Sequence, residues 1–272
     1  MKAIRIRAVL LVAALTFAAC ACAEGERKTF DVEGVRFWYR MPALSAASNT
    51  VQGILVLFGG RNWSGEKTLA AYACDALADQ HRLILLSPSF SAENYWEPQS
   101  GSGAQLNQAL ATVSARAGGK AAVPLYLYGY SAGGQCAALF AAWLGSRVSA
   151  WGAHGCGVYP DACAREGVHA PALITCGMED RERFEISRRA VYAYREAGGE
   201  LVWRYYAGRG HELNPEALHL ARTWLDALIR KERVAWIGED DTGRLVPAAR
   251  IQEIEPEFRN PLRTETLRML WK

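Results

Sequence analysis

The sequence predicts an α/β fold, a mostly parallel central sheet with helices on both faces. Three observations predict it. First, short apolar runs such as Gly53-Ile-Leu-Val-Leu-Phe58, Leu83-Ile-Leu-Leu86 and Val123-Pro-Leu-Tyr-Leu-Tyr128 lack the alternation of half-exposed strands. They read as strands buried on both sides. Second, stretches of helical length lie between the runs, and Gly118-Gly119 and Gly198-Gly199 stop two of them. Third, the two kinds of segment alternate, and a parallel strand needs such a crossover to return to the same edge.

Taken in order, Phe30 to Arg40 reads as two strands turning at Glu33-Gly34. Pro42 to Thr50 is a loop of small and polar residues. The strand from Gly53 ends on Gly59-Gly60-Arg61-Asn62-Trp63, and one helix is expected from Glu66 to Gln80. The strand from Leu83 runs into Ser87-Pro88 and a loop carrying Tyr95, Trp96 and Pro98. A helix follows from Ser102 to Ala117, then the strand from Val123 and an alanine-rich helix to Leu144. Val148-Ser-Ala-Trp-Gly-Ala153, Leu173-Ile-Thr-Cys176 and Leu201-Val-Trp-Arg-Tyr-Tyr206 read as strands. Arg181 to Ala197 and Pro215 to Lys231 read as helices. Beyond them, Trp236 to Pro247 reads as a hairpin turning near Asp241-Thr-Gly243. A polar stretch with Pro256 and Pro261 and an amphipathic end at Leu267 to Trp271 complete the chain. The expected organisation is a body over residues 24–231 with an extension over 232–272 packed on it.

The chain has 272 residues, half of them hydrophobic and 22% charged, which suits one substantial globular domain. A net charge of +3 with no basic run gives no sign of nucleic-acid binding. Lys2, Arg5 and Arg7 precede an apolar run from Ala8, and small residues end at Ala21-Cys22-Ala23. This is the pattern of a secretory signal, so residues 1–23 are expected to be removed and the protein to be secreted or periplasmic. The run is shorter than the ~20 residues that span a bilayer, which makes a retained membrane anchor the alternative. Phe17-Ala18-Ala19-Cys20 resembles a bacterial lipobox with Phe in place of Leu, so a lipid anchor at Cys20 is the other membrane link. Beyond this segment lie Cys74, Cys136, Cys156, Cys163 and Cys176. Cys156 and Cys163 are near enough in sequence to close a small ring, while Cys74 and Cys136 read as core residues. The spacing matches no zinc site, and neither metal nor cofactor is expected. Oligomeric state is left open.

In a covered parallel sheet the functional site lies at the C-terminal edge of the strands. Every candidate residue can therefore be judged by whether it follows a strand. Gly129-Tyr130-Ser131-Ala132-Gly133 sits between an apolar strand and a helix, the pattern of a nucleophile elbow. The sharp turn exposes the Ser131 hydroxyl, and only tiny side chains fit two positions either side. The helix start leaves the Ala132 N–H available to developing negative charge. The bland alternative is a glycine-rich turn with an idle serine. Of five histidines, His81 and His169 precede strands and His219 lies in a helix. His154 and His211 follow strands. His211 is the expected base, on a loop freed by Gly208 and Gly210 and followed by the helix start Asn214-Pro215. His154 is expected as a pocket wall or a packing residue rather than as the base. Asp180 is the expected carboxylate partner of His211, with Glu179 second. A second oxyanion donor is expected from the loop after the Gly53 strand, at Gly60 or else Arg61. Trp63, Tyr95 and Trp96 are candidate substrate contacts, with plain packing as the alternative, and Tyr130 is a further candidate contact.

With these three motifs in this order, the chain resembles the α/β-hydrolase superfamily over most of Phe30 to Lys231. The residues that carry the resemblance are Gly129 to Gly133, Gly177-Met-Glu-Asp180 and Gly208-Arg-Gly-His211. The resemblance implies the α/β-hydrolase fold and acyl transfer to water, with Ser131 attacking, an acyl-enzyme forming and His211 activating the second-step water. It is similar in finer detail to secreted esterases of the feruloyl/acetylxylan esterase and polyhydroxyalkanoate depolymerase kind. That implies small-molecule or polysaccharide-linked ester substrates. Phe58 departs from the pattern, standing where many relatives have His before Gly. The short segment between the strand ending near His154 and the one starting near Ala172 leaves no large lid domain. A serine peptidase of the same fold and a catalytically silent binding module are the competing readings.

Overall fold

In the computed structural model, which describes residues 25–43, 50–119, 123–161 and 170–272, the apolar runs become strands of one eight-stranded sheet. The expected signal segment with Cys20, and Cys163 as a partner for Cys156, lie outside the described residues. The strands are β1 (Arg27–Val32), β2 (Val35–Arg40), β3 (Gly53–Phe58), β4 (Leu83–Pro88), β5 (Leu125–Tyr130), β6 (Val148–His154), β7 (Ala172–Gly177) and β8 (Leu201–Tyr206). Their order across the sheet is β1-β2-β4-β3-β5-β6-β7-β8. From β4 to β8 all neighbours are parallel, and only β2 runs against both of its neighbours. β3, β4, β5 and β7 are buried at every position, which is why their sequences are continuously apolar. The β1–β2 turn uses left-handed backbone at Glu33 and Gly34, with φ of 46° and 80°.

Among the described residues, seven α-helices cover the two faces. They are α1 (Gly65–Tyr72), α2 (Asp75–His81), α3 (Ser102–Arg116), α4 (Ala132–Leu144), α5 (Arg181–Glu196), α6 (Pro215–Ile229) and α7 (Glu265–Trp271). α3, α4 and α5 bury Leu106, Leu110, Phe140, Val191 and Tyr194 on one face. α1, α2, α6 and α7 bury Leu69, Tyr72, Leu77, Trp224 and Trp271 on the other. The single helix expected over Glu66 to Gln80 is two. Ala73 takes left-handed backbone at φ 47° between them. Tertiary bonds hold the break: the Tyr72 hydroxyl donates to the Phe58 carbonyl at 2.6 Å, and Arg222 donates to the Tyr72 carbonyl at 2.9 Å.

Residues 232–272 add a small antiparallel sheet, β9 (Trp236–Glu239), β10 (Leu245–Pro247) and β11 (Arg259–Leu262), in the order β10-β9-β11. β11 falls in the stretch that reads as merely polar, and it carries Pro261 at the sheet edge. This unit lies along the outer edge of β8. The Asn260 side-chain oxygen accepts the Trp203 N–H at 2.6 Å, and the Trp271 indole donates to the Trp203 carbonyl at 2.8 Å. Arg195 of α5 donates to Asp240, to Asn260 at 2.9 Å and to the Glu257 carbonyl at 2.6 Å. No helix among the described residues is long and apolar enough to cross a membrane.

Candidate active site

The elbow between β5 and α4 holds Ser131 at φ 57° and ψ −123°, a region that side chains disfavour. Such strain costs about 1–3 kcal/mol and persists only where the surroundings enforce it. Here they do. A Cβ on Gly129 would lie 1.9 Å from the Gly133 carbonyl oxygen, and one on Gly133 would lie 2.1 Å from the Phe58 carbonyl oxygen. Both glycines are therefore demanded by backbone packed against backbone. The Ser131 N–H donates to the His154 carbonyl at 2.9 Å, which ties the turn to β6. Ala132 is the first residue of α4, so its N–H has no acceptor inside the helix.

β7 and β8 bring the other two groups to the same edge. Ser131 Oγ lies 2.8 Å from His211 Nε2, and His211 Nδ1 lies 2.6 Å from Asp180 Oδ2. A carboxylate only accepts, so Nδ1 carries the proton and Nε2 accepts from the serine hydroxyl. Asp180 is 7% exposed. Its second oxygen accepts from Arg183 Nη1 at 3.1 Å. Glu179, the second choice, is exposed beside it. Gly155, at φ 56°, lies beneath the pair, and a Cβ there would come within 3.3 Å of His211 Nδ1 and 3.6 Å of Asp180 Oδ2.

No protein-family model matches the sequence, and no curated protein sequence matches it. Solved structures do match in shape. Esterase PE8 superposes with a TM-score of 0.52 at 18% identity, over 70% of this chain and 99% of that one. The apo form of Thermogutta terrifontis esterase 2 gives 0.57 at 16% identity, over 75% of this chain and 94% of that one. A putative dipeptidyl aminopeptidase IV from Bacteroides ovatus gives 0.57 at 12% identity, over 76% of this chain but 35% of that one. The chain has the α/β-hydrolase fold. The matched α/β-hydrolase structures do not single out the feruloyl, acetylxylan or polyhydroxyalkanoate kind.

On this α/β-hydrolase scaffold, two of the expected substrate contacts, His154 and Tyr130, are buried. His154 is 1% exposed, which fits the packing role that the sequence also allows. Its Nε2 donates to the Glu212 carbonyl and its Nδ1 accepts from the Thr175 hydroxyl, both at 2.8 Å. Burial pushes its pKa down to about 4, so the ring is neutral. Tyr130 is 8% exposed. Its ring stacks on His211 at 5.2 Å, and its hydroxyl donates to the His211 carbonyl at 3.0 Å. His154 and Tyr130 thus hold the His211 loop, through one carbonyl each. Thr175, Gly155 and Arg183 were not read from sequence as parts of the site. Gly155 and Thr175 could have been suspected, since one follows β6 and the other lies near the C-terminal end of β7.

The loop after β3 lies against the elbow. The Cβ that would strike Phe58 from Gly133 would also lie 2.5 Å from the Gly59 carbonyl oxygen, and a Cβ on Gly60 would lie 3.3 Å from the Tyr130 ring. Gly60 is buried there and Arg61 is exposed. Trp63 is half-buried, 6.0 Å from the Tyr130 ring, with the Lys67 ammonium 4.2 Å over it. Tyr95 is only 6% exposed, packed on Phe90 and Trp96, and burial pushes its phenol up to about 12. Trp96 is half-buried. Among the described residues, no group of three or more His, Cys, Asp or Glu is placed to hold a metal ion. Cys74, Cys136 and Cys176 are buried thiols, and burial raises the pKa of each.

Proposed function

We propose that the protein is an exported serine hydrolase that cleaves carboxylic esters. The observation that carries this reading is the unbroken hydrogen-bonded chain from Ser131 through His211 to Asp180 at the C-terminal edge of the sheet. In the proposed reaction Ser131 Oγ attacks the ester carbonyl carbon while His211 Nε2 takes the hydroxyl proton. The N–H groups of Ala132 and Gly60 receive the oxyanion, where each donor of this kind contributes about 3–4 kcal/mol. Asp180 stabilises the imidazolium and keeps its proton on Nδ1. His211 then passes its proton to the departing alcohol oxygen, leaving an acyl group on Ser131. Water attacks that acyl group, His211 takes a proton from the water and returns one to Ser131, and the acid leaves. Ester and water give acid and alcohol.

The Bacteroides ovatus neighbour favours a second reading, a peptidase acting through the same three residues. Labelling with a fluorophosphonate probe tests the shared mechanism. Wild type is expected to label and Ser131→Ala is not. Folded wild type that resists the probe would remove both enzyme readings and leave a binding module. Turnover of aryl esters without turnover of aminoacyl amides is expected; the reverse would make the protein a peptidase.

A further inference from the structure

Once Ser131 has attacked, three substituents on the reacting carbon need places. The oxyanion takes the N–H groups of Ala132 and Gly60. The leaving oxygen must face His211 to receive its proton. β7 and β8, which carry Asp180 and His211, lie on one side of β5, and β3 and β4 lie on the other. The third substituent, the acyl chain, is therefore directed toward the loops after β3 and β4.

A crevice opens there. It is lined by Gly59, Gly60, Trp63 and Pro88 together with Phe58, Phe90, Tyr95 and Cys136. The free volume is about 10 Å³, at the lower limit of what admits a single water-sized group. Phe58, Phe90, Tyr95 and Cys136 are all buried. The three aromatic ones cannot easily move apart, because their rings belong to one continuous cluster. Phe90 packs on Tyr95 at 5.8 Å and on Phe140 at 6.3 Å, and Phe140 packs on Phe58 at 5.5 Å. Phe90 also meets Phe37 of β2 edge-on at 6.0 Å. Widening the crevice would displace part of the core on that face of the sheet.

We infer that this crevice is the acyl subsite and that it restricts the enzyme to esters of very short acids, of acetyl size. The inference rests on the esterase reading. Most of the substrate is then its alcohol, which leaves on the His211 side. The acyl-enzyme is O-acetyl-Ser131, and its hydrolysis consumes one water and releases acetate. Phe58, Phe90, Tyr95 and Cys136 become specificity-determining residues that take no part in proton transfer.

The test is kcat/KM for the p-nitrophenyl esters of acetate, butyrate and octanoate, which share one alcohol. Each lengthening is expected to lower kcat/KM by about tenfold or more, because the longer chain overfills a crevice of this size. Two variants enlarge the crevice, Cys136→Gly and Phe90→Leu. In whichever folds, the butyrate-to-acetate ratio is expected to rise. Wild type that handles octanoate as well as acetate overturns the size restriction and leaves the esterase reading intact. A folded variant with an unchanged ratio overturns the placement of the acyl chain. No turnover of any ester, with no labelling of Ser131, overturns the hydrolase reading and this inference with it.

Discussion

Asp180→Asn replaces one oxygen by an NH2 group, and the surroundings decide which one. Asp180 Oδ1 accepts from Arg183 Nη1 at 3.1 Å, and Oδ2 meets His211 Nδ1 at 2.6 Å. Arg183 only donates, so the oxygen of the asparagine must face it. The NH2 then faces His211 and requires an acceptor at Nδ1. That moves the imidazole proton to Nε2, the nitrogen that must accept from Ser131. The substitution thus installs the wrong tautomer and removes the charge that stabilises the imidazolium. The expected loss in kcat is about 10⁴-fold, or about 5 kcal/mol in the barrier, with KM and folding little changed. The assay is steady-state hydrolysis of an aryl acetate, with circular dichroism as the folding control. Adding Arg183→Ala frees the asparagine to turn its oxygen to His211. The double variant should regain on the order of tenfold, because the tautomer returns but the charge does not. Asp180→Asn within tenfold of wild type would refute the roles given to Asp180 and Arg183.

Three further outcomes follow from the geometry. Ser131→Gly should abolish ester cleavage yet stabilise the fold by about 1 kcal/mol, because glycine relieves the backbone at φ 57°. Ser131→Ala keeps the strain, so calorimetry should place its Tm about 2–4 °C below that of Ser131→Gly; equal values would argue against strain. Gly133→Ala would press a methyl group onto the Phe58 carbonyl and should destabilise by about 3 kcal/mol or more. An unchanged midpoint in urea would mean that the turn lies farther from β3. His154 has a folded pKa of about 4 against an ordinary 6.5. Its contribution is fully present above pH 6.5 and is lost as pH falls through 4, of order 3 kcal/mol in all. Urea unfolding at pH 7 and pH 4.5 should show this slope in wild type and a flatter one in His154→Gln. Parallel slopes would refute it.

The meeting of Ser131, His211 and Asp180 was legible because it depends on local backbone and on sheet topology. The two glycines of the elbow answer to atoms within a few residues or on the adjacent strand, and the rule of the C-terminal edge separates His211 from His81 and His169. Depth below that edge was not legible. His154 and Tyr130 sit at the right edge by position, but only tertiary packing decides that they face the underside of the His211 loop. The same holds for Tyr95, whose neighbour Phe90 comes from its own loop and whose wall partner Cys136 comes from α4. The break between α1 and α2 carries no glycine or proline, because bonds from Tyr72 and Arg222 override the helical propensity of the stretch. β11 was missed because Pro261 and Asn260 disguise it, and Asn260 is there for its side chain rather than for its strand propensity.

Asn260 and Trp271 occupy the donor and acceptor of Trp203 that a ninth parallel strand would have used. The main sheet therefore stops at β8 by plugging rather than by running out of chain. A neighbouring molecule cannot extend it at that residue. The plug is anchored through Arg195 in α5, the helix that begins right after Asp180. Anything that pries the C-terminal unit loose would therefore strip the C-terminal end of α5 of its partners and expose an adhesive rim in one event.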